Sequence, residues 1–177
     1  MTYLDTITWY GAQIDCSTCH LFDRHLYYFG SLERKTEELC YGLLAPNDTF
    51  VDVGSNIGVF TCLAAKRAQH GKVVAIEASP STFSRLNANI NINHSKNVIA
   101  INRAAGYKKT RVYMDCPCEL STHSGVCRVS GEEQPDSLGA VQAAPLDEIL
   151  VEAGIDDVKM IKIDVEGAEV NVVRYLP

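Results

Sequence analysis

The sequence predicts an α/β fold in which helices cover both faces of one parallel sheet. Apolar, β-branched segments at 49–53, 73–76 and 98–101 alternate with segments of helical periodicity, and a fourth apolar segment follows at 158–163. Helices that connect successive strands act as crossovers, which produce parallel strands. The composition agrees, because 177 residues with 46% hydrophobic and 21% charged side chains are typical of one globular domain.

The chain is predicted to consist of an N-terminal cap, 1–30, and a main domain, 31–177. The cap is rich in aromatic side chains without a sustained period, which indicates short strands or turns. Ser31 is the predicted N-cap of a first helix that ends before Pro46. The inward side chains of this helix are predicted to be Leu32, Leu39, Cys40 and Leu43.

Two predicted helices follow the first two strands. The first helix, 57–70, comes after the turn at Gly54, and the second begins with Ser79 as N-cap and Pro80 in its first turn. The inward side chains are predicted to be Phe60, Leu63, Ala64 and Ala68 in the first of these helices, and Phe83, Leu86 and Ile90 in the second.

The second half of the chain is less regular. A strand is predicted at 111–114, and residues 115–142 are predicted to form a long loop because they are rich in Cys, Ser, Gly and Pro. A short helix is predicted to begin at Pro145 and to end near Gly154. The last predicted helix covers 168–176.

Charge and hydropathy limit the partners. Sixteen Lys and Arg residues against 22 Asp and Glu residues give a net charge of −6, which argues against nucleic acid as a partner. No apolar segment approaches the roughly 18 residues of a membrane-spanning helix, and the first ten residues do not resemble a secretion signal. The expected location is therefore the cytoplasm.

Seven cysteines, an odd number, favour free thiols over a disulfide framework. Residues 16–20 match the pattern of c-type haem attachment, but that chemistry needs export. A tetrahedral zinc site remains an alternative. Its four thiolates would come from Cys16, Cys19, Cys116 and Cys118.

The residues that follow the predicted strands point to a nucleoside cofactor. Glu77 lies 23 residues after Gly54, a spacing that suits an acidic side chain bound to ribose hydroxyls. Gly54 and Gly58 have the spacing G-x-x-x-G, which lacks the middle glycine of a dinucleotide motif. Asp52 would repel a pyrophosphate but suits a cationic cofactor such as S-adenosylmethionine. The alternative is that Asp52 only braces the turn and Glu77 is a solvated loop residue.

Three segments, 50–58, 76–80 and 161–169, resemble FkbM-type methyltransferases, and the resemblance extends from Glu33 to Leu176. It implies a Rossmann-like class I methyltransferase fold. It also implies an enzyme that depends on S-adenosylmethionine and methylates hydroxyl groups of sugars or other small metabolites.

The resemblance also implies roles for individual residues. The residues implied for the methionine end of the cofactor are Asp52, Gly54, Asn56 and Gly58, with Glu77 at the ribose and Asn102 near the adenine. Asp164 and Glu166 are the catalytic candidates, with Asp164 as the favoured general base for a hydroxyl acceptor. The alternative is that residues 164–167 only cap the next helix, and His123 is a remote alternative base. Metal dependence stays open and no metal ligand is assigned, because Asp164 alone offers too few ligands for a magnesium site.

The complete methyltransferase fold continues with three more strands. We therefore expect a truncated or partial chain whose C-terminal strands are missing and whose fourth strand is a sheet edge. Two other functions remain alternatives, an NAD-dependent oxidoreductase and a non-catalytic fragment that only binds the cofactor.

Overall fold

The computed structural model describes residues 3–115, 128–130 and 137–173. The strands are β1 Tyr3–Ile7, β2 Gln13–Ser17, β3 Thr49–Val53, β4 Lys72–Ile76, β5 Val98–Ile101, β6 Ala104–Ala105, β7 Thr110–Asp115, β8 Arg128–Ser130, β9 Ser137–Ala144 and β10 Met160–Ile163. The helices are α1 Leu21–Phe29, α2 Arg34–Leu43, α3 Val59–Arg67, α4 Pro80–Ile92, α5 Leu146–Glu152 and α6 Glu169–Val173.

The central sheet confirms the predicted parallel α/β fold. Its order is β10-β3-β4-β5, and every neighbouring pair is parallel. Lys162 of β10 lies opposite Asp52 of β3, which lies opposite Ala75 of β4. In the described part of the chain β10 is one edge of this sheet. The carboxyl ends of β10, β3 and β4 therefore meet at the same edge, where open α/β sheets bind ligands.

Successive side chains of β3 pack on opposite faces of the sheet, as the two-residue period of a strand requires. Val51 and Val53 belong to a core that includes α5, whereas Phe50 packs with Phe60 and Leu63 of α3. Every residue of α3 from Val59 to Ala65 is buried, because this helix lies between the sheet and the N-terminal segment.

The predicted inner face of the first helix is correct at Cys40 but wrong at Leu39 and Leu43. Leu39 and Leu43 are 59% and 54% exposed, and the helix begins at Arg34 rather than after Ser31. The buried side chains are Glu37 and Cys40. A buried carboxylate with four hydrogen-bond donors, described below, turns the helix away from the orientation that its leucines predict.

Residues 1–30 contain the expected short strands but also a helix, α1, that was not predicted. Strands β1 and β2 pair antiparallel. In α1 only Asp23 and Leu26 are buried, while Tyr28 and Phe29 are 75% and 69% exposed. The apolar side chains of α1 share one face of the helix, but most of that face is exposed and Leu26 is its buried member.

The predicted loop over 115–142 is also wrong in part. Strand β8 and most of β9 lie within that range, and they join β6 and β7 in a second sheet of order β6-β9-β7-β8. β9 is rich in alanine and glycine, residues with low strand propensity, and pairing with β7 stabilises it. His123, Cys116 and Cys118 lie outside the described residues.

The N-terminal hairpin is held to the main domain by two asparagine amides of α4. The side-chain oxygens of Asn93 and Asn89 accept from the backbone N–H groups of Gln13 and Asp15, both at 2.9 Å. The amide of Asn93 donates to the Gln13 carbonyl at 2.7 Å, and that of Asn89 donates to the Ile57 carbonyl at 2.8 Å. The amides occupy the positions that backbone groups of a neighbouring strand would take.

We expect Asn89→Ala to lower the free energy of unfolding by about 2–3 kcal/mol, because the half-buried backbone N–H of Asp15 and the buried carbonyl of Ile57 lose their partners. Asn91→Ala, at an exposed position of the same helix, is the matched control and should have no effect or stabilise slightly. Urea denaturation measures both. Equal stabilities of the two variants would contradict the attachment role.

In residues 3–115, 128–130 and 137–173, no helix combines the length and hydropathy required to cross a bilayer.

Candidate functional site

A cleft opens at the carboxyl ends of β3, β4 and β10, with a volume of about 970 Å³ including the part open to solvent. Of the predicted site residues, five line this cleft: Gly54, Asn56, Glu77, Asp164 and Glu166. Three others, Asp52, Gly58 and Asn102, lie behind its wall or next to it, and their contacts are given below.

The loop after β3 is held tightly against β4. The backbone N–H groups of Gly54 and Ser55 both donate to the Ile76 carbonyl, at 2.9 and 3.0 Å. Gly54 has a φ of +75°, and a Cβ atom there would lie 1.9 Å from the backbone oxygen of Asp164. Only glycine permits this approach of β3 to the loop after β10. Gly58, with φ +94°, precedes α3 and faces Leu86 rather than the cleft.

Glu77 joins the loops that follow β3 and β4. Its carboxylate accepts from the backbone N–H groups of Asn56 at 2.9 Å and Ser79 at 2.8 Å. Burial raises the pKa of Glu77, although these two hydrogen bonds act in the opposite direction. Each carboxylate oxygen has two lone pairs, so the group retains acceptor capacity for ribose hydroxyls. Asn102 braces the same turn, since its amide donates to the Glu77 and Ala78 carbonyls at 2.8 and 3.0 Å.

Asp52 is fully buried and belongs to a charge pair beneath the cleft. Its Oδ2 accepts from the Thr61 hydroxyl at 2.6 Å, and its Oδ1 lies 3.6 Å from Lys162 Nζ. Lys162 Nζ also lies 3.4 Å from Asp164 Oδ2 and 3.4 Å from the Gly54 carbonyl. Burial disfavours the ammonium, but the charges of Asp52 and Asp164 outweigh it and raise the pKa of Lys162. Lys162 is therefore a cation that joins β3 to β10.

Asp164 and Glu166 follow β10 and reach solvent. The Asp164 side chain is 53% exposed, so its carboxylate is accessible to an acceptor in the cleft. Glu166 is exposed and has a φ of +54°. The carboxylate of Glu169 accepts from the N–H groups of Val165 and Gly167, at 3.2 and 3.1 Å, and thereby holds the backbone of this loop.

Sequence reasoning assigned no role to Lys162, Thr61 or Glu33. A signal for Lys162 was present: a lysine in an apolar strand next to a strand that carries an aspartate needs a carboxylate partner. Thr61 had no signal, because its position depends on the fold of α3 around Asp52. Glu33 lines the cleft from the link between α1 and α2, which no strand-end pattern includes.

The cleft fits a nucleoside cofactor with a positive charge. Its walls near β4 and the second sheet are apolar, whereas the side near β10 carries charged groups. Among the described lining residues, Lys162 is the one cation, and it already faces carboxylates. The cleft therefore offers little positive charge to balance a pyrophosphate, whereas its excess of negative charge attracts a sulfonium. The apolar wall residues are Ile76, Ala78, Ala104, Ala105 and Met114.

Four of the seven cysteines lie in the described ranges and are free thiols, namely Cys16, Cys19, Cys40 and Cys62. Burial, followed by the charge of Asp23, raises the pKa of Cys16 to about 12, whereas Cys19 is exposed. No cluster of three or more potential metal ligands occurs within the part of the chain that the structure covers. The four-cysteine zinc site stays untested, because two of its members lie outside that part.

We expect iodoacetamide at pH 8 to modify Cys19 rapidly and Cys16 at least a hundredfold more slowly, because the reactive species is the thiolate. Mass spectrometry of peptides from the native chain measures both rates. Protection of Cys19 that is lost on addition of a chelator would instead indicate bound metal and would revive the zinc hypothesis.

The sheet order and the strand-end cleft define a Rossmann-like α/β domain of the class I methyltransferase type. Residues 52–175 match the Methyltransferase FkbM domain, which is more than half of the chain, and the chain belongs to this family. S-adenosylmethionine is the cofactor of the class. The family resemblance noted from the sequence is thereby confirmed.

Two curated relatives are methyltransferases. The chain is 25% identical over 158 residues to Methyltransferase 1 of Beauveria bassiana (strain ARSEF 2860), a match that covers 77% of this chain and 62% of the relative. It is 24% identical over 164 residues to Methyltransferase sdnD of Sordaria araneosa, covering 76% and 63%. The chain thus spans less than two thirds of the length of either relative.

Solved structures show partial likeness. M. jannaschii TYW2 in complex with AdoMet gives a TM-score of 0.46 at 25% identity, covering 57% of this chain and 43% of that chain. M. jannaschii tRNA m1G37 methyltransferase gives a TM-score of 0.42 at 18% identity, covering 57% and 30%. Both TM-scores are below 0.5, so neither structure bears on the acceptor of this chain.

Proposed function

We propose that this protein transfers a methyl group from S-adenosylmethionine to a hydroxyl group of a sugar or another small metabolite. The main support is that one cleft of an FkbM family member brings together the Gly54 loop, Glu77 and the accessible carboxylate of Asp164. The first two suit a nucleoside, and the third suits proton removal from an acceptor.

Binding and orientation come from groups of this chain. Glu77 would accept hydrogen bonds from the ribose hydroxyls, and the apolar wall that includes Met114 would hold the adenine. Asn56 and Gly54, together with the buried charge of Asp52 behind them, would lie along the methionine end. S-adenosylmethionine, when bound, supplies an electrophilic methyl group on a positively charged sulfur.

Asp164 is the proposed general base, with Glu166 as the neighbouring candidate. As the acceptor oxygen forms its bond to the methyl carbon and the carbon–sulfur bond breaks, the hydroxyl proton passes to the Asp164 carboxylate. Holding the acceptor oxygen in line with that bond is the larger part of catalysis. Lys162 fixes the Asp164 carboxylate at 3.4 Å and so limits its rotation.

A small uncharged acceptor is favoured over nucleic acid. Four acidic side chains line the cleft and one lysine opposes them, so a phosphate backbone would be repelled. The lining acids are Glu33, Glu77, Asp164 and Glu166.

The four free thiols in the described ranges support the expected location in the cytoplasm.

Thermal melts with S-adenosylhomocysteine or NAD test the cofactor. A hundredfold excess over Kd should stabilise the chain by about 2.7 kcal/mol, or roughly 5–10 °C. Glu77→Ala should abolish the shift, and Glu38→Ala, at an exposed position of α2, should preserve it. A shift with NAD alone would overturn the proposal in favour of an oxidoreductase.

Transfer of a tritiated methyl group to a panel of polyols, sugars and hydroxylated metabolites then tests the reaction, with Asp164→Asn as the inactive control. Cofactor binding without transfer to any hydroxyl compound would instead support a non-catalytic domain.

A further inference from the structure

The two sides of the cleft differ in chemistry. The side near β4 and the second sheet is apolar, and Ala78 packs there against the core of that sheet. The side near β10 carries Glu33, Lys162 and Asp164, with Asp52 buried behind them. Three carboxylates and one ammonium give this side an excess of negative charge.

Glu33 reaches the cleft because Glu37 fixes the backbone before α2. Glu37 Oε1 accepts from the N–H groups of Leu32 and Glu33 at 2.9 and 3.1 Å. Its Oε2 accepts from the Trp9 indole at 2.6 Å and the Ser31 hydroxyl at 2.8 Å. The Glu37 side chain is fully buried, so the link that carries Glu33 is anchored to the domain.

The Glu33 carboxylate differs from three of the acids in or behind the cleft. Asp52 and Asp164 face Lys162, and Glu77 accepts two backbone N–H groups. Within the described residues the Glu33 carboxylate makes no hydrogen bond or ion pair, although its charge contributes to the raised pKa of Lys162. Glu166, the fourth lining acid, also has no partner among the described residues, but Glu33 is the one of the two whose charge acts on Lys162. Glu33 is therefore an unpartnered carboxylate on the charged side of the cleft and can receive a cationic group from a ligand.

We propose that Glu33 binds the α-ammonium group of the amino-acid part of S-adenosylmethionine. This assignment rests on the proposed function. Adenosine occupies the apolar side and the ribose lies at Glu77, so the amino-acid part extends toward the charged side. An ammonium on a carboxylate forms a charge-assisted hydrogen bond, and the surrounding negative charge favours it further. Glu33 precedes the matched family residues 52–175 and lies in the link between α1 and α2.

Isothermal titration calorimetry with two ligands tests the assignment. The ligands are S-adenosylhomocysteine and its analogue that lacks only the α-amino group. The wild-type chain should bind the analogue about tenfold more weakly than S-adenosylhomocysteine, a difference of about 1.4 kcal/mol. Glu33→Gln should bind both equally, at the affinity of the wild type for the analogue. Glu38→Gln, at an exposed position of α2, is the matched control and should keep the tenfold preference.

Two results would overturn the assignment while leaving the cofactor in place. One is a Glu33→Gln variant that retains the tenfold preference, and the other is an equal loss of affinity for both ligands. Absence of binding of either ligand to the wild type would overturn the assignment and the proposed function together.

Discussion

Gly54→Ala should destabilise the protein by at least about 3 kcal/mol and remove cofactor binding. The left-handed backbone at φ +75° costs an alanine about 1–3 kcal/mol, and overpacking adds a similar amount. The overpacking is severe, because the new Cβ would lie 1.9 Å from the Asp164 backbone oxygen. Relief requires β3 and the loop after β10 to separate, which moves both walls of the cleft.

Gly42→Ala is the matched control for Gly54→Ala. Gly42 lies in α2, and a Cβ atom there has no neighbour within 4 Å. This substitution should raise the free energy of unfolding by about 0.5–1 kcal/mol. Urea denaturation and titration with S-adenosylhomocysteine measure both variants. If Gly54→Ala kept wild-type stability, the close approach of the two loops would be wrong.

Lys162→Met should lower the free energy of unfolding by about 3–5 kcal/mol. Asp52 is fully buried, and its Oδ1 accepts no hydrogen bond within the described chain. Lys162 is the cation next to this oxygen, so its removal leaves a buried carboxylate without a compensating charge. The double variant Asp52→Asn with Lys162→Met should recover at least half of the loss, since no buried charge remains. Thr61 can still donate to the amide oxygen at position 52.

Lys159→Met supplies the control for Lys162→Met. Lys159 is exposed and directly precedes β10, so its replacement should change stability by less than about 0.5 kcal/mol. Urea denaturation of the wild type, Lys162→Met, Asp52→Asn and the double variant gives the coupling energy of the pair. A double variant no more stable than Lys162→Met would show that the lysine stabilises through its cation–π contact with Phe60 rather than through the charge of Asp52.

The sequence was sufficient to predict the central sheet because its signals are local. Each of these signals acts over a few residues: the β-branched runs, the turn at Gly54 and the helix cap at Ser79. The Ser79 hydroxyl accepts from the Thr82 N–H at 3.4 Å. Because open α/β sheets bind ligands at the carboxyl ends of their strands, Gly54, Glu77 and Asp164 could be predicted to lie at one edge. The roles of the site residues stay predictions.

The remaining features depend on contacts that are distant in the sequence. The orientation of α2 follows from Glu37, whose partners include Trp9, 28 residues away. Asn89 and Asn93 take their function from the backbone of β2, 74 and 80 residues away. Likewise, β9 depends on pairing with β7 rather than on its own composition. A prediction from hydrophobic periodicity uses only residues that are close in the sequence, so it cannot identify such distant partners.

The hydrogen bond from Trp9 to Glu37 gives the protein an intrinsic optical probe. Trp9 is the single tryptophan of the chain, and its indole donates to the carboxylate that fixes Leu32 and Glu33 at the cleft. Arg34 stacks over the same ring, with its guanidinium carbon 4.2 Å from the centroid. Any shift of this wall during ligand capture alters the polarity around the indole. We therefore expect the fluorescence emission of the unlabelled protein to report cofactor entry in real time, without an added dye or a known acceptor.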